Sequence, residues 1–235
     1  MLSSRTQRGT DVNLRSAPQL AEYRAIADRL AADHPDCVLD WGCGWGQVSA
    51  LLHERGLDVA SFDFRPEAGE DGRRRLTRYP EIEAWIAAHD PVRLPYADGE
   101  FDAVLSCGVL EHVAEPDASL EEIRRVLRPG GTFYVFKLPN RFSYLEAIAR
   151  RVGLYYHGAD VHDRVYTKRT ALALLGRHGF AVRELRRTNL LPLTLPGPVA
   201  GRLAPALWAV NRTLARLPGL NLVATNLELV ATASR

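Results

Sequence analysis

Apolar positions recur with two rhythms along this chain. Over 18–33, Leu20, Tyr23, Ile26, Ala27 and Leu30 return every three or four residues, which predicts a helix with one buried face. Short apolar runs then follow: Val38-Leu39, 59–62, 101–106 and 132–137. Each is short and rich in branched or aromatic residues, the mark of a buried strand. Helix-like segments separate them, over 48–55 with Gly56 as its stop and over 119–127. The polar segment 67–78 reads as a further helix, and 82–87 is too short for periodicity to decide between strand and helix. Strands alternating with helices predict a parallel sheet covered on both faces.

The later part of the chain is less regular. Residues 168–177 read as a helix closed by Gly179, 180–186 alternate like a strand, and 227–232 form a last strand. Between them, 190–225 is apolar and contains prolines. It reads as an insertion with its own helix, because long structureless loops are uncommon in compact domains. Within it Leu207, Val210, Leu214 and Leu217 recur at helical spacing, with Arg212 and Arg216 falling elsewhere on the wheel.

Composition narrows the class. A chain of 235 residues, 46% hydrophobic and 25% charged, has the size and make-up of one α/β domain with a sizeable core. Cys37, Cys43 and Cys107 show no paired spacing, so neither a disulfide framework nor a metal site is expected. With no apolar leader and no run of about 20 apolar residues, the expectation is a cytoplasmic protein in a reducing compartment. The formal net charge of +2 conceals a seam. Up to Phe136 there are 15 basic and 23 acidic residues, a balance of −8; beyond it there are 15 and 5, a balance of +10.

The sharpest local feature is Asp40-Trp41-Gly42-Cys43-Gly44-Trp45-Gly46, between a strand and a helix. Its glycines permit tight turning and close approach of backbone to a ligand. The spacing is not GxGxxG, and an acid leads the loop. A carboxylate there repels a pyrophosphate and attracts an ammonium group, which predicts a nucleoside with a charged amine rather than a dinucleotide. Asp63 ends the next strand, where a carboxylate can accept both ribose hydroxyls. Asp90, followed by Pro91, ends the third segment, where it can meet an adenine amino group or simply shape a turn.

Residues 38–46 resemble the first motif of the class I S-adenosylmethionine-dependent methyltransferases, small-molecule type. The run 94–102, Leu110-Glu111-His112-Val113 and 126–131 resemble that family's later motifs, in order. The resemblance covers roughly 38–137. It implies a Rossmann-like, doubly wound, mostly parallel seven-stranded α/β sheet, with an N-terminal helix as a lid and the apolar insertion before the last strand. Residues 1–235 would be one domain, with the cofactor-binding core over 18–137 and the acceptor region over 138–235. It implies S-adenosyl-L-methionine as cofactor, contacted by Asp40, Trp41, Gly42, Cys43, Gly44, Asp63, Phe64, Asp90, Pro91, Cys107 and His112.

Methyl transfer from a sulfonium needs nucleophile, methyl and sulfur in line, and a base when the nucleophile is a hydroxyl. The candidate bases are His112 and His162, the latter next to Asp163. Tyr23, Tyr156, His157 and Tyr166 are candidate acceptor-pocket residues; the alternative for Tyr23 and Tyr166 is ordinary packing, and for Tyr156 and His157 a solvated loop. The Asn/Asp-Pro-Pro-aromatic tetrad of nucleic-acid amino-methylating enzymes is absent, since 106–109 read Ser-Cys-Gly-Val, and no cysteine follows a proline. A small-molecule or lipid-like acceptor methylated at a hydroxyl is expected, and nucleic acid is not. The basic, leucine-rich later half suits a hydrophobic anionic acceptor, a peripheral membrane contact, or a homodimer through the insertion. Two rivals remain at this stage, a non-catalytic cofactor-binding partner subunit and a nicotinamide-dependent oxidoreductase.

Overall fold

The computed structural model describes residues 16–152, 163–193 and 198–234. Helix α1 (Ala17–Ala31) starts where the Ser16 hydroxyl accepts from the Gln19 amide. Then come β1 (Cys37–Trp41), α2 (Gln47–His53), β2 (Asp58–Phe64), a 3-10 turn (Pro66–Ala68), β3 (Gly72–Arg75) and β4 (Glu83–Ala87). The chain continues through β5 (Phe101–Cys107), α3 (Pro116–Val126), β6 (Leu127–Pro139) and α4 (Tyr144–Arg151). The last described elements are α5 (Lys168–Arg177), β7 (Phe180–Thr188), α6 (Pro198–Leu214), a 3-10 turn (Leu220–Val223) and β8 (Asn226–Ala233).

One sheet runs in the order β3-β4-β2-β1-β5-β6-β8-β7. The central pairings β4–β2, β2–β1, β1–β5 and β5–β6 are parallel; β3 pairs antiparallel with β4 at one side, and β8 pairs antiparallel with both β6 and β7 at the other. Adjacent residues of the inner strands serve opposite faces. Leu39, Val104 and Phe133 pack with α3 and α5, while Val38, Leu105 and Tyr134 pack with α1 and α2. Both faces are therefore buried, which is why these strands read as unbroken apolar runs. Strand order reverses across β1 and β5, so their carboxyl ends border the crevice where such sheets hold ligands.

Three expectations change. The sheet has eight strands rather than seven, and 67–78 is not helical: the 3-10 turn leads into β3, an edge strand whose Arg73, Arg74 and Arg75 are exposed. Arginines along an edge keep it soluble and blunt further pairing, so the segment carries no apolar signature of a strand. The segment 82–87 resolves as β4. In the insertion, α6 turns Ala204 and Asn211 inward and leaves Val210 and, just past its end, Leu217 exposed. Asn211 is buried because its Oδ1 accepts from the amides of Leu190 and Leu191, at 2.8 and 2.7 Å.

Candidate active site

The glycine loop leaves β1 with all three glycines at positive φ: Gly42 at 77°, Gly44 at 54° and Gly46 at 85°. The amides of Gly42 and Cys43 both donate to the Phe62 carbonyl at 2.9 Å, which folds the loop back over β2. A Cβ on Gly42 would lie 2.5 Å from Val109 Cγ2, so the loop after β5 packs directly on the glycine turn. A Cβ on Gly44 would meet nothing within 4 Å, so that stretch of backbone is open to a ligand. The indole of Trp41 is 3% exposed in the core, and the Cys43 thiol is buried beside Leu76 and Ile82. What these two residues offer the loop is backbone.

Two acids stand at the ends of adjacent strands. Asp40 is buried, and its Oδ2 accepts from the Ser49 hydroxyl at 2.6 Å; Ser61 donates to Ser49 in turn at 2.9 Å. Burial pushes the Asp40 carboxyl up to about 6, with the Ser49 hydrogen bond opposing it and nearby Asp63 adding to it. Burial also raises Asp63, opposed by Arg65. The Asp63 Oδ1 accepts from the Phe64 amide at 3.0 Å and its Oδ2 from Arg65 Nε at 2.8 Å. Arg65 reaches on to the Gly44 carbonyl and lies 5.8 Å from the Trp45 ring centre; Arg78 lies 5.1 Å from the same ring. Phe64 is half-buried at the end of β2, packed against the main core.

The loop after β4 is held by two acids, Asp71 from just before β3 and Asp90 of the loop itself. Asp71 Oδ1 accepts from the Ala88 amide at 2.6 Å. Asp90 Oδ1 accepts from the amides of Val92 and Arg93 at 2.8 and 3.0 Å, and these bonds hold its carboxyl below the usual range. Asp90 thus shapes the turn around Pro91 with one oxygen.

On the other side of the crevice, Cys107 ends β5, its thiol raised by burial. The following loop carries Glu111 and His112, and the His112 amide donates to the Val109 carbonyl at 2.8 Å. Val109 packs on Gly42, so the histidine sits on the rim of the glycine loop. Its Nδ1 meets Asp163 Oδ1 at 2.6 Å, and its Nε2 lies 3.8 Å from Glu111 Oε1. The Glu111 side chain is buried; that burial pushes its carboxyl up to about 7, with His112 pulling the other way. The strand-like segment bearing Asp163 is fixed by two ties: the Arg164 amide donates to the Glu111 carbonyl at 2.9 Å, and the Tyr166 amide to the Pro139 carbonyl at 2.8 Å. Tyr166 itself is buried in the core.

Above β6, α1 closes the crevice. Lys137, at a left-handed φ of 61°, holds its ammonium 4.7 Å from the Tyr23 ring centre, 3.5 Å from the Tyr23 hydroxyl and 3.3 Å from Glu22 Oε2. Glu22 is buried and also accepts from Gln19 at 2.6 Å and from Asn189. The fold thus brings Asp40, the glycines, Asp63, Phe64, Cys107 and His112 around one crevice, with Tyr23 over it. Tyr156, His157 and His162 lie outside the described residues. Sequence reading paired Asp163 with His162, whereas the described geometry pairs it with His112. Arg65, Glu111, Glu22 and Lys137 were missed. Glu111 stood inside a quoted motif, but nothing local marks Lys137 as a neighbour of α1.

The residues fit an adenosyl ligand bearing a charged amine. An acid leads an open glycine backbone, and a second acid ends the neighbouring strand. Comparison with known proteins agrees. Residues 39–135 match the model of a methyltransferase domain. A demethylmenaquinone methyltransferase of Beutenbergia cavernae is 43% identical over 112 residues, 48% of this chain and 45% of that one. The sterol 4-C-methyltransferase strm-1 of Caenorhabditis elegans is 30% identical over 120 residues, 51% of this chain and 36% of that one. The chain spans about half the length of the curated relatives it matches, 45% and 54% for two demethylmenaquinone methyltransferases. Among solved structures, the Burkholderia thailandensis 1,6-didemethyltoxoflavin-N1-methyltransferase, with bound 1,6-didemethyltoxoflavin and S-adenosylhomocysteine, superposes with a TM-score of 0.59 at 21% identity, covering 97% of this chain and 84% of that one. That likeness is one of fold. Over residues 39–135 the chain is similar to a methyltransferase domain, and its motif run and strand order agree with the fold of the class I S-adenosylmethionine-dependent methyltransferases.

Proposed function

We propose that this protein methylates a hydroxyl oxygen on an apolar, ring-bearing small molecule or lipid-like metabolite. The observation that carries the reading is the His112–Asp163 contact of 2.6 Å on the rim of the glycine loop. When bound, S-adenosylmethionine supplies a methyl on a sulfonium, an electrophile that needs no further activation. Asp40, Gly42, Gly44 and Asp63 would hold it, with backbone near Cys107 closing the other side.

The chain's own contribution is then positioning and proton removal. With Nδ1–H donating to Asp163, Nε2 is the basic nitrogen of His112 and accepts the proton of the acceptor hydroxyl. Asp163, whose side chain is 7% exposed, fixes the ring and stabilises the imidazolium that forms. Glu111 beside it adds negative charge whenever it is ionised. The names of the relatives support an apolar ring system as acceptor, since they act on demethylmenaquinone and on a sterol. On a phenol or quinol, the same deprotonation raises electron density at oxygen and at the ortho carbon, so the site of transfer has to be read from product.

The test is incubation with methyl-labelled donor and a panel of phenols and quinols with short and long tails, with the product's methyl position read by NMR. An O-methyl product is expected. A C-methyl product overturns the assignment to oxygen. Donor binding without turnover on any acceptor favours a non-catalytic subunit instead.

A further inference from the structure

Two elements beside the crevice expose apolar side chains that the fold does not use. On and beside α4, Phe142, Ile148 and Val152 are 59, 53 and 60% exposed. On and just beyond α6, Leu203, Val210 and Leu217 are 51, 44 and 47% exposed, and their spacing of seven residues keeps them on one side. Leu220 and Leu222 continue the strip through the 3-10 turn. These residues account for every large exposed hydrophobic side chain among the described residues. Scattered exposed leucines are ordinary, but a set confined to two elements that hydrogen bonds tie together marks an interaction surface.

Hydrogen bonds tie the segments around the two elements together. Asn140, just before α4, donates to the carbonyls of Leu222 and Ala224 at 2.9 and 2.7 Å. The Tyr144 hydroxyl donates to the Leu190 carbonyl, and the Leu190 amide donates to Asn211 of α6. These bonds link α4 to the insertion, so the exposed apolar residues of the two do not stand on independent loops.

The charge around them has one sign. Over 141–152 and 198–222 the basic residues are Arg141, Arg150, Arg151, Arg202, Arg212 and Arg216, all exposed. The same segments contain a single acid, Glu146, and it is buried. Exposed apolar side chains flanked by arginines, whose stems can lie along a greasy surface while their heads meet phosphate, complement an anionic bilayer. None of the described helices is long and apolar enough to cross a membrane, so the contact would be peripheral.

We propose that α4, α6 and the following 3-10 turn form a docking surface for an anionic lipid bilayer. The surface adjoins α1, against which α6 packs, and α1 carries Tyr23 over the crevice. Docking there brings the crevice to the headgroup layer, where an acceptor with a long apolar tail can enter without crossing water. The docking does not depend on the chemistry proposed above, and its test uses no acceptor.

The test is flotation of the full chain with phosphatidylglycerol vesicles and with phosphatidylcholine vesicles, at low and high salt. Binding to the anionic vesicles, weakened by salt, is expected. Leu203→Glu/Val210→Glu and, separately, Arg150→Glu/Arg151→Glu should each weaken it by about tenfold or more. All four sites are exposed, and unchanged circular dichroism and S-adenosylhomocysteine affinity would show that the variants are folded. Absence of flotation, equal binding to both lipids, or full binding by both variants overturns the proposal. So does a dimer in sedimentation that the leucine–valine variant dissolves, which would make the surface a contact between two copies.

Discussion

His112 and Asp163 lie 51 positions apart in the chain and meet at 2.6 Å. The loop after β5 carries one and the segment leading to α5 carries the other. They meet because Arg164 and Tyr166 tie that segment to the Glu111 and Pro139 carbonyls. An imidazole held through Nδ1 presents Nε2 as its base. His112→Ala and Asp163→Asn should each lower kcat by about a hundredfold to ten-thousandfold, the range of a positioned general base. The double variant should lose little more than His112→Ala alone, because the two groups act as one unit. Steady-state rates of the three variants check this; losses that multiply would mean the residues act separately.

What the sequence disclosed follows from how local each signal is. Inner strands such as β5 are apolar on both faces, so they stand out without any partner in view. The glycine loop is legible because strand end, turn and helix start are consecutive. β3 was missed because an edge strand answers to solvent on its outer side, and three successive arginines look helical or disordered. The buried stripe of α6 was misjudged because Asn211 points inward to serve the amides of Leu190 and Leu191, a need invisible to apolar periodicity. The partner of Asp163 and the seat of Lys137 over Tyr23 are tertiary facts. In each, the residues come from distant elements, and no spacing records their meeting.

Asp63 stands between two uses. Its carboxylate now accepts from Arg65 and from the Phe64 amide, at 2.8 and 3.0 Å. If it also receives the ribose hydroxyls, Asp63→Ala should weaken S-adenosylhomocysteine binding by about 1.5–3 kcal/mol, the worth of hydrogen bonds to a charged group. Asp63→Asn should lose less, because it retains one acceptor oxygen. Isothermal titration measures both; an alanine variant with unchanged affinity would count against the seat assigned to the nucleoside.

Gly42 and Gly44 have different reasons to be glycine. At Gly42 a Cβ would sit 2.5 Å from Val109, on a backbone already at φ 77°. Overpacking of this kind costs about 1–3 kcal/mol, and left-handed backbone adds of order 1 kcal/mol for a non-glycine residue. At Gly44 only the backbone cost applies, since a Cβ there meets nothing within 4 Å. Gly42→Ala should therefore lower the unfolding midpoint more than Gly44→Ala, and Val109→Ala should recover part of the Gly42→Ala loss. Gly44→Ala should instead fold well and bind the nucleoside poorly, because its methyl stands where the ligand would approach. Urea melts and titration of the same samples separate the two effects; equal loss of stability at both positions would contradict this.

Glu228 gives the fold a pH dependence that lies apart from the glycine loop. It sits on β8, accepts from the Thr188 hydroxyl at 3.0 Å, and is pushed up to about 7 by burial, with Glu22 adding to the rise. Its ordinary value is 4.5, so between these limits the folded chain holds a proton that the unfolded chain releases. Stability from this group is complete below about pH 4.5, falls as pH rises, and is fully lost above about pH 7. At about 1.4 kcal/mol per pKa unit, the loss is on the order of 3 kcal/mol. Glu228→Gln keeps an acceptor oxygen for Thr188 and never ionises. It should match the parent near pH 4 and be the more stable protein at pH 8. Denaturation midpoints at both pH values decide the matter, since a gain that is equal at pH 4 and pH 8 would place the effect in packing rather than charge.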